Sequence, residues 1–347
     1  APPLTGQLVN WHSTSGSVKR EPPNRASEWT TRPGPTAAAP LGSRTARSSA
    51  VPELGGPMPE SPFVLVTGAS RGLGRDMALH LTRHGFKVLA GVRSPEDGTR
   101  LTAEAGPTLH PVILDVADSG SIAVAVATVA DLTGEAGLAG LVNNAGIASF
   151  VPLEQQPMDD FERTFRVNVI GVQALTQALL PQLRRARGRI VNISSGNGKL
   201  SFPFSGAYSA SKFALEALSD ALRVELAPWG IQVSVVEPGA MATDIRVKGI
   251  EAWAAAREAL SAEDRMLYAS QFERIRSAIL GLEAGVSPVD EVSEAVLLAL
   301  TAVEPKTRYP VGPNMDQLDA LATLPDRARD QVAMGILGLG GAPPSPA

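Results

Sequence analysis

Cysteine is absent from all 347 residues of the chain. That excludes disulfides, thiol nucleophiles and thiolate metal sites. Histidine is nearly absent too: His12, His80, His84 and His110 are scattered, and no third ligand accompanies the helically spaced His80 and His84. Positive charge is not in excess, because the formal net charge is −4, so the basic footprint of a nucleic-acid binder is missing. No apolar run reaches the roughly 20 residues that a membrane-spanning helix needs. Charged side chains make up 19% of the chain and hydrophobic ones 44%, the balance of a soluble globular protein long enough for a sizeable core. The missing cysteines fit a reducing compartment, and a cytoplasmic location is the expectation.

What is present divides into two compositions. Residues 1–57 are dense in Pro, Gly, Ser and Thr, carry Lys19, Arg20, Arg25, Arg32, Arg44 and Arg47 against Glu21, Glu28 and Glu53, and show no helical or strand period. Such a segment is expected to be a disordered tail. A dispensable tail ahead of a natural start at Met58 is favoured over a targeting peptide, whose amphipathic helix is missing, and over partner recognition through Trp11 or Trp29. From residue 58 to about 340 the pattern is regular, and 341–347 reads as a short carboxyl tail. Continuous apolar runs, the mark of buried parallel strands, fall at Phe63-Val66, Lys87-Val92, Pro111-Leu114, Gly140-Asn143, Arg189-Ile193, Gln232-Glu237 and Arg308-Val311. Helical periods fit near 73–84, 119–132, 158–186, 207–227 and 289–303, with a further helix to about 338. Strand-helix alternation predicts an α/β fold: one doubly wound, Rossmann-like domain with a mostly parallel seven-stranded sheet and helices on both faces.

Directly after the first strand comes Thr67-Gly68-Ala69-Ser70-Arg71-Gly72-Leu73-Gly74, opening a helix. Glycine there lets the backbone turn sharply and approach a pyrophosphate, and a helix N-terminus offers N–H groups to phosphate. Far downstream, Tyr208 and Lys212 stand four apart on one helix face. An ammonium beside a phenol favours the phenolate, so the phenol's reference pKa of about 10 is expected to move toward working pH. Either feature alone also fits an ordinary strand-helix turn or an exposed helix.

Together with Asn143-Asn144-Ala145-Gly146, Ser195 thirteen residues before Tyr208, and Pro238-Gly239, these motifs resemble the short-chain dehydrogenase/reductase family over residues 62 to about 312. The resemblance implies that Tyr208 acts as general acid or base, that Lys212 holds the nicotinamide ribose and tunes Tyr208, that Ser195 donates to the substrate oxygen, and that Asn168 steadies a water behind Lys212. Ser194 is the neighbouring competitor of Ser195. The cofactor would meet Gly68, Ser70, Arg71, Gly72, Leu73 and Gly74 at its phosphates. Asp115 and Val116 would face the adenine, unless Asp115 only caps the helix near Ser119. Asn144, Ala145, Gly146, Tyr208, Lys212, Pro238, Gly239, Met241 and Thr243 would lie around the nicotinamide half, with Thr243 on the carboxamide. No metal is expected.

The second strand ends Gly91-Val92-Arg93, with Val92 where an acid would accept bonds from an adenosine ribose. Arg93 and Arg71 instead suit a 2′-phosphate, which arginine grips bidentately, so NADP(H) is expected over NAD(H). The segment of about 244–287 is expected to form a helical substrate lid, with Trp253, Met266, Leu267, Tyr268, Phe272 and Ile275 as candidate pocket residues or lid packing. The carboxyl end resembles the hydroxysteroid and retinol dehydrogenase branch, implying a lipophilic small-molecule alcohol, ketone or aldehyde. The alternatives are a ketoacyl-carrier-protein-type reductase, a sugar-nucleotide enzyme and a non-catalytic dinucleotide sensor or scaffold. A homodimer or homotetramer is implied by the resemblance only.

Overall fold

Apolar strands that alternate with amphipathic helices build one sheet with helices on both faces, buried most fully in its central strands. The computed structural model describes residues 61–239, 241, 258, 260–281, 287–336 and 339; Thr243 and Trp253 and both expected tails lie outside them. The strands are β1 (Phe63–Thr67), β2 (Lys87–Val92), β3 (Leu109–Ile113), β4 (Gly140–Asn143), β5 (Arg189–Ile193), β6 (Gln232–Pro238) and β7 (Arg308–Val311). They pair in the order β3-β2-β1-β4-β5-β6-β7, every pair parallel. The order reverses between β1 and β4, and in open α/β sheets ligands bind at the carboxyl ends beside such a reversal.

The pleat sends successive side chains to opposite faces. In β1, Val64 and Val66 join one core with Met77, Leu81, Val292 and Val296, whereas Leu65 joins a second with Ile122, Leu175, Leu179 and Leu222. Helices α1 (Gly72–Arg83), α2 (Pro95–Ala105) and α8 (Asp290–Thr301) cover the first face; α3 (Ser119–Thr133), α5 (Val172–Ala186) and α6 (Gly206–Leu226) cover the second. Among the described residues the remaining α-helices are α4 (Met158–Phe165), α7 (Ala262–Gly281) within the expected lid, α9 (Met315–Ala322) and α10 (Asp326–Ile336).

Three features differ from expectation. Helix α2 lacks an apolar stripe and was not foreseen, although its start is written in Ser94, which accepts from Asp97 N at 3.3 Å, and in Pro95 at the first turn. The expected long helix 158–186 is continuous but passes through a π turn at Arg166–Gly171 between α4 and α5; such turns add a residue without ending the helix. The expected carboxyl helix is two, α9 and α10, because Pro325 cannot donate the bond that would continue the first.

Candidate active site

The glycine turn is shaped by its neighbours. Gly68 has φ +66° and lies where a Cβ would come 3.0 Å from Ala145 Cα, and a Cβ on Gly74 would overlap the Gly68 carbonyl oxygen. Gly72 also has positive φ, 55°. Helix α1 begins there with no side-chain cap after Arg71 and no acidic residue in its first turn, so its leading N–H groups keep their donor capacity and positive end for an anion. Ser70 and Leu73 are half-buried in the turn.

Thr67 joins this turn to the next strand. Its hydroxyl accepts from the N–H of Asn144 and of Ala145, both at 2.9 Å, and Asn144 Nδ2 donates to Thr67 O at 2.8 Å. Thr67 was legible only as part of the glycine motif; its role as the bolt between β1 and β4 needs the strands side by side. A cradle that any Cβ would fill, ending on an uncapped helix, fits a pyrophosphate.

At the outer edge Arg71 and Arg93 are exposed, and neither makes an ion pair among the described residues. Val92 is buried in the core, so no carboxylate occupies its place. A third cation escaped the sequence reading: Arg100 of α2 donates to Ser70 O at 3.3 Å and pairs with Asp97 at 2.5 Å, unseen because α2 was. Asp115 is not the cap of α3. Asp118 accepts from Ser121 N at 2.9 Å, whereas Asp115 Oδ1 accepts from Ala117 N at 2.9 Å and shapes its own turn. Val116 is buried, with its carbonyl against Gly171.

The reacting end gathers past β4, β5 and β6. Lys212 is 5% exposed. Its Nζ donates to Ile193 O at 2.8 Å, stands 5.7 Å from the centre of the Tyr208 ring, and lies 3.7 Å from the place a Gly146 Cβ would take. Tyr208 is half-buried, near enough to the Ser195 hydroxyl for it to pull the phenol pKa down, and faces Phe150 at 6.4 Å between ring centres. Ser195 Oγ accepts from Asn197 N at 3.2 Å. Ser194 is buried with its hydroxyl unpartnered and packed toward Gly198, which leaves Ser195 as the serine at the phenol. Asn168 sits in the π turn, fully enclosed: Oδ1 accepts from Ile147 N at 2.9 Å, and Nδ2 donates to Ile147 O at 2.8 Å and to Ser211 Oγ at 3.0 Å.

The expected direction of the Tyr208 shift is overturned. Burial raises its pKa, and the Ser195 hydroxyl only opposes that rise. The amine explains why the ammonium does not win: burial lowers Lys212 to about 8, against the opposing pull of Glu216. A group close to losing its own proton is a weak electrostatic lever on its neighbour.

Beyond β6, Pro238 ends the strand and Gly239 N donates to Val311 O at 2.8 Å. The Met241 side chain is buried in the first core and its backbone bridges to Ser287, so only its main chain is placed to face a ligand. In the lid, Phe272 and Ile275 are buried with Phe204, and Tyr268 packs on them. Phe204 meets Phe272 at 4.9 Å and Tyr268 at 5.9 Å, edge to face. Met266 is 73% exposed and Leu267 is also exposed. Tyr268 donates to Glu154 and Gln155 Nε2 donates to Asp264 at 2.7 Å, tying α7 to the turn before α4.

The short chain dehydrogenase family profile matches residues 62–253. Retinol dehydrogenase 5 of Mus musculus is 38% identical over 283 residues, covering 79% of this chain and 88% of that protein. The 17-beta-hydroxysteroid dehydrogenase type 6 of Bos taurus is 37% identical over 73% of this chain and 81% of its own length. Among solved structures, a short chain dehydrogenase from Burkholderia cenocepacia J2315 in complex with NADP superposes with a TM-score of 0.59 at 26% identity, covering 82% of this chain and 99% of that one. The chain belongs to the short-chain dehydrogenase family, as an oxidoreductase related to retinol and hydroxysteroid dehydrogenases.

Proposed function

We propose that the protein transfers hydride reversibly between NADP(H) and a lipophilic secondary alcohol/ketone or aldehyde, steroid- or retinoid-like in character. The observation that carries the reading is the meeting of Tyr208, Ser195 and Lys212 beside Gly146, at the same sheet edge as the glycine turn. The dinucleotide supplies or accepts the hydride. The chain does the rest. Gly68, Ser70, Gly72, Leu73 and Gly74 seat the pyrophosphate on the start of α1, and Asp115 and Val116 border the adenine. Arg71 and Arg93 grip the 2′-phosphate. Asn144, Ala145, Gly146, Pro238, Gly239, Met241 and Thr243 orient the nicotinamide half. In reduction, Tyr208 gives its proton to the carbonyl oxygen as charge builds there, Ser195 donates to the same oxygen, and Lys212 holds the ribose. Asn168 orders the backbone behind Lys212 through Ile147 and Ser211. In oxidation the proton returns to Tyr208.

The apolar character of the substrate is supported by Phe150 facing Tyr208 and by the Phe204–Phe272–Ile275 cluster under α7, together with the retinol and hydroxysteroid dehydrogenases among the relatives. NADP(H) is supported by two arginines and a buried valine at the ribose edge, and by the NADP-bound relative. A cytoplasmic location and a homodimer or homotetramer complete the reading, testable by cell fractionation and light scattering.

The deciding experiment follows nicotinamide absorbance while ketones, aldehydes and alcohols of graded lipophilicity are offered with NADPH and NADH. Expected are NADPH preference, loss of that preference in Arg93→Ala, and a fall of about 10²–10⁴-fold in turnover for Tyr208→Phe with cofactor binding kept. NADH preference sinks the arginine assignment, activity confined to acyl-carrier thioesters sinks the lipophilic substrate, and full activity in Tyr208→Phe sinks the mechanism.

A further inference from the structure

The turn that bears Ser195 is held from two sides. On the α6 side Asn197 Nδ2 donates to Ser205 Oγ and Ser209 Oγ, both at 3.0 Å, flanking Tyr208 in sequence. On the other side Lys199 Nζ lies 2.8 Å from Glu237 Oε2 and 2.8 Å from Asp319 Oδ1. Between them the turn is stiff: Gly198 N donates to Ser195 O at 2.8 Å and Lys199 N to Gly196 O at 3.1 Å. Glu237 is fully buried in β6, one residue before Pro238-Gly239, and Asp319 belongs to α9, beyond the stretch that matches the family profile. Helix α9 also packs on both turns of the site. A Cβ on Gly196 would come 2.8 Å from Leu318 Cδ1, and one on Gly239 3.2 Å from Met315 Sδ.

We infer that Lys199 is a positioning residue, tying the Ser195 turn to Glu237 of β6 and to Asp319 of α9 so that α9 sets where the Ser195 hydroxyl meets Tyr208. The inference rests on Ser195 and Tyr208 being the reacting pair. Exposed ion pairs do little, but this one ends on a carboxylate with no access to water. Burial raises the Glu237 pKa, with Lys199 opposing. Removing the ammonium therefore leaves a buried acid that must protonate or draw in water, and either shifts the turn. Arg308, 3.3 Å from Glu237 Oε1, is committed as well to Glu216 at 3.1 Å and to Asp220 at 2.9 Å, so it cannot replace Lys199 at the turn.

The test uses the full chain, whose three tyrosines are Tyr208, Tyr268 and Tyr309. Phenolate absorbance is titrated in wild type, Lys199→Met, Lys199→Arg and Asp319→Ala, with Tyr208→Phe subtracted to assign Tyr208. The Ser195 hydroxyl lowers the Tyr208 pKa, so a displaced turn moves that titration to higher pH. Expected are this alkaline shift, a kcat lower by about 100-fold in Lys199→Met with little change in NADPH binding, recovery in Lys199→Arg, and a smaller loss of the same kind in Asp319→Ala. A folded Lys199→Met with unchanged kcat and unchanged Tyr208 titration overturns the inference. Should Lys199→Met fail to fold, the half-exposed Asp319 decides by the same two readouts. A wild type that reduces no carbonyl, with the Tyr208 titration still moved to higher pH by Lys199→Met, overturns the proposed activity and leaves the positioning role standing.

Discussion

Lys212 carries a charge that its surroundings resist. Burial holds its pKa at about 8, against 10.5 for a free lysine. Between these values the unfolded chain still binds a proton that the folded chain has released, so this group makes stability rise with pH across that window. Below about pH 8 both states are protonated and its cost is constant. The stability difference between wild type and Lys212→Met, taken from urea midpoints, is therefore expected to move toward wild type by up to about 3 kcal/mol between pH 8 and 10.5. A flat difference would show the amine to be better solvated than its 5% exposure implies. Other residues at this scale divide by what a linear sequence can express. The spacing of Tyr208 and Lys212 put them on one helix face, whereas Ser195 and the roles expected of all three came from the family resemblance. The direction of the Tyr208 shift was not legible, since desolvation depends on what packs around the ring. Arg100, and the part Thr67 plays in joining β1 to β4, were not legible because their partners are 30 and 77 residues away.

Elements show how the site is kept in register. The π turn at Arg166–Gly171 rotates Asn168 inward, where its amide meets both Ile147 and Ser211. An ordinary helix through the same residues offers its interior no such polar partner, which is why mid-helix Asn is otherwise unfavourable. Gly171 closes this turn against the backbone of Val116, where a Cβ would overlap the carbonyl oxygen. Gly171→Ala must therefore push apart α5 and the turn bearing Asp115 and Val116. It is expected to cost about 1–3 kcal/mol in urea unfolding and to weaken dinucleotide binding by fluorescence titration; unchanged affinity would detach the Val116 turn from the cofactor. The missed α2 teaches a related point. Its buried face rests on Gly98 and Leu101, and Gly98 is needed because Pro111 Cβ lies 2.7 Å from where a Cβ would stand. Close packing removed the apolar period that sequence reading relies on, while the Ser94-Pro95 start survived as a local signal.

At the scale of the molecule, all seven strands of the described sheet lie at or after Phe63. A chain shortened to begin at Met58 is expected to bind NADPH within about threefold of the full chain and to keep its melting temperature. Loss of binding would assign residues 1–57 a part in the site. By itself the sequence determined the fold class and the strands, because periodicity and glycine spacing are local and survive in one dimension, while the proposed reacting set came from the family resemblance of its motifs. Only the tertiary structure decided which buried groups shift and in which direction, that α9 leans on the Ser195 turn, and that a π turn carries Asn168. Each of these depends on contacts between residues far apart along the chain, and on how much water their packing removes.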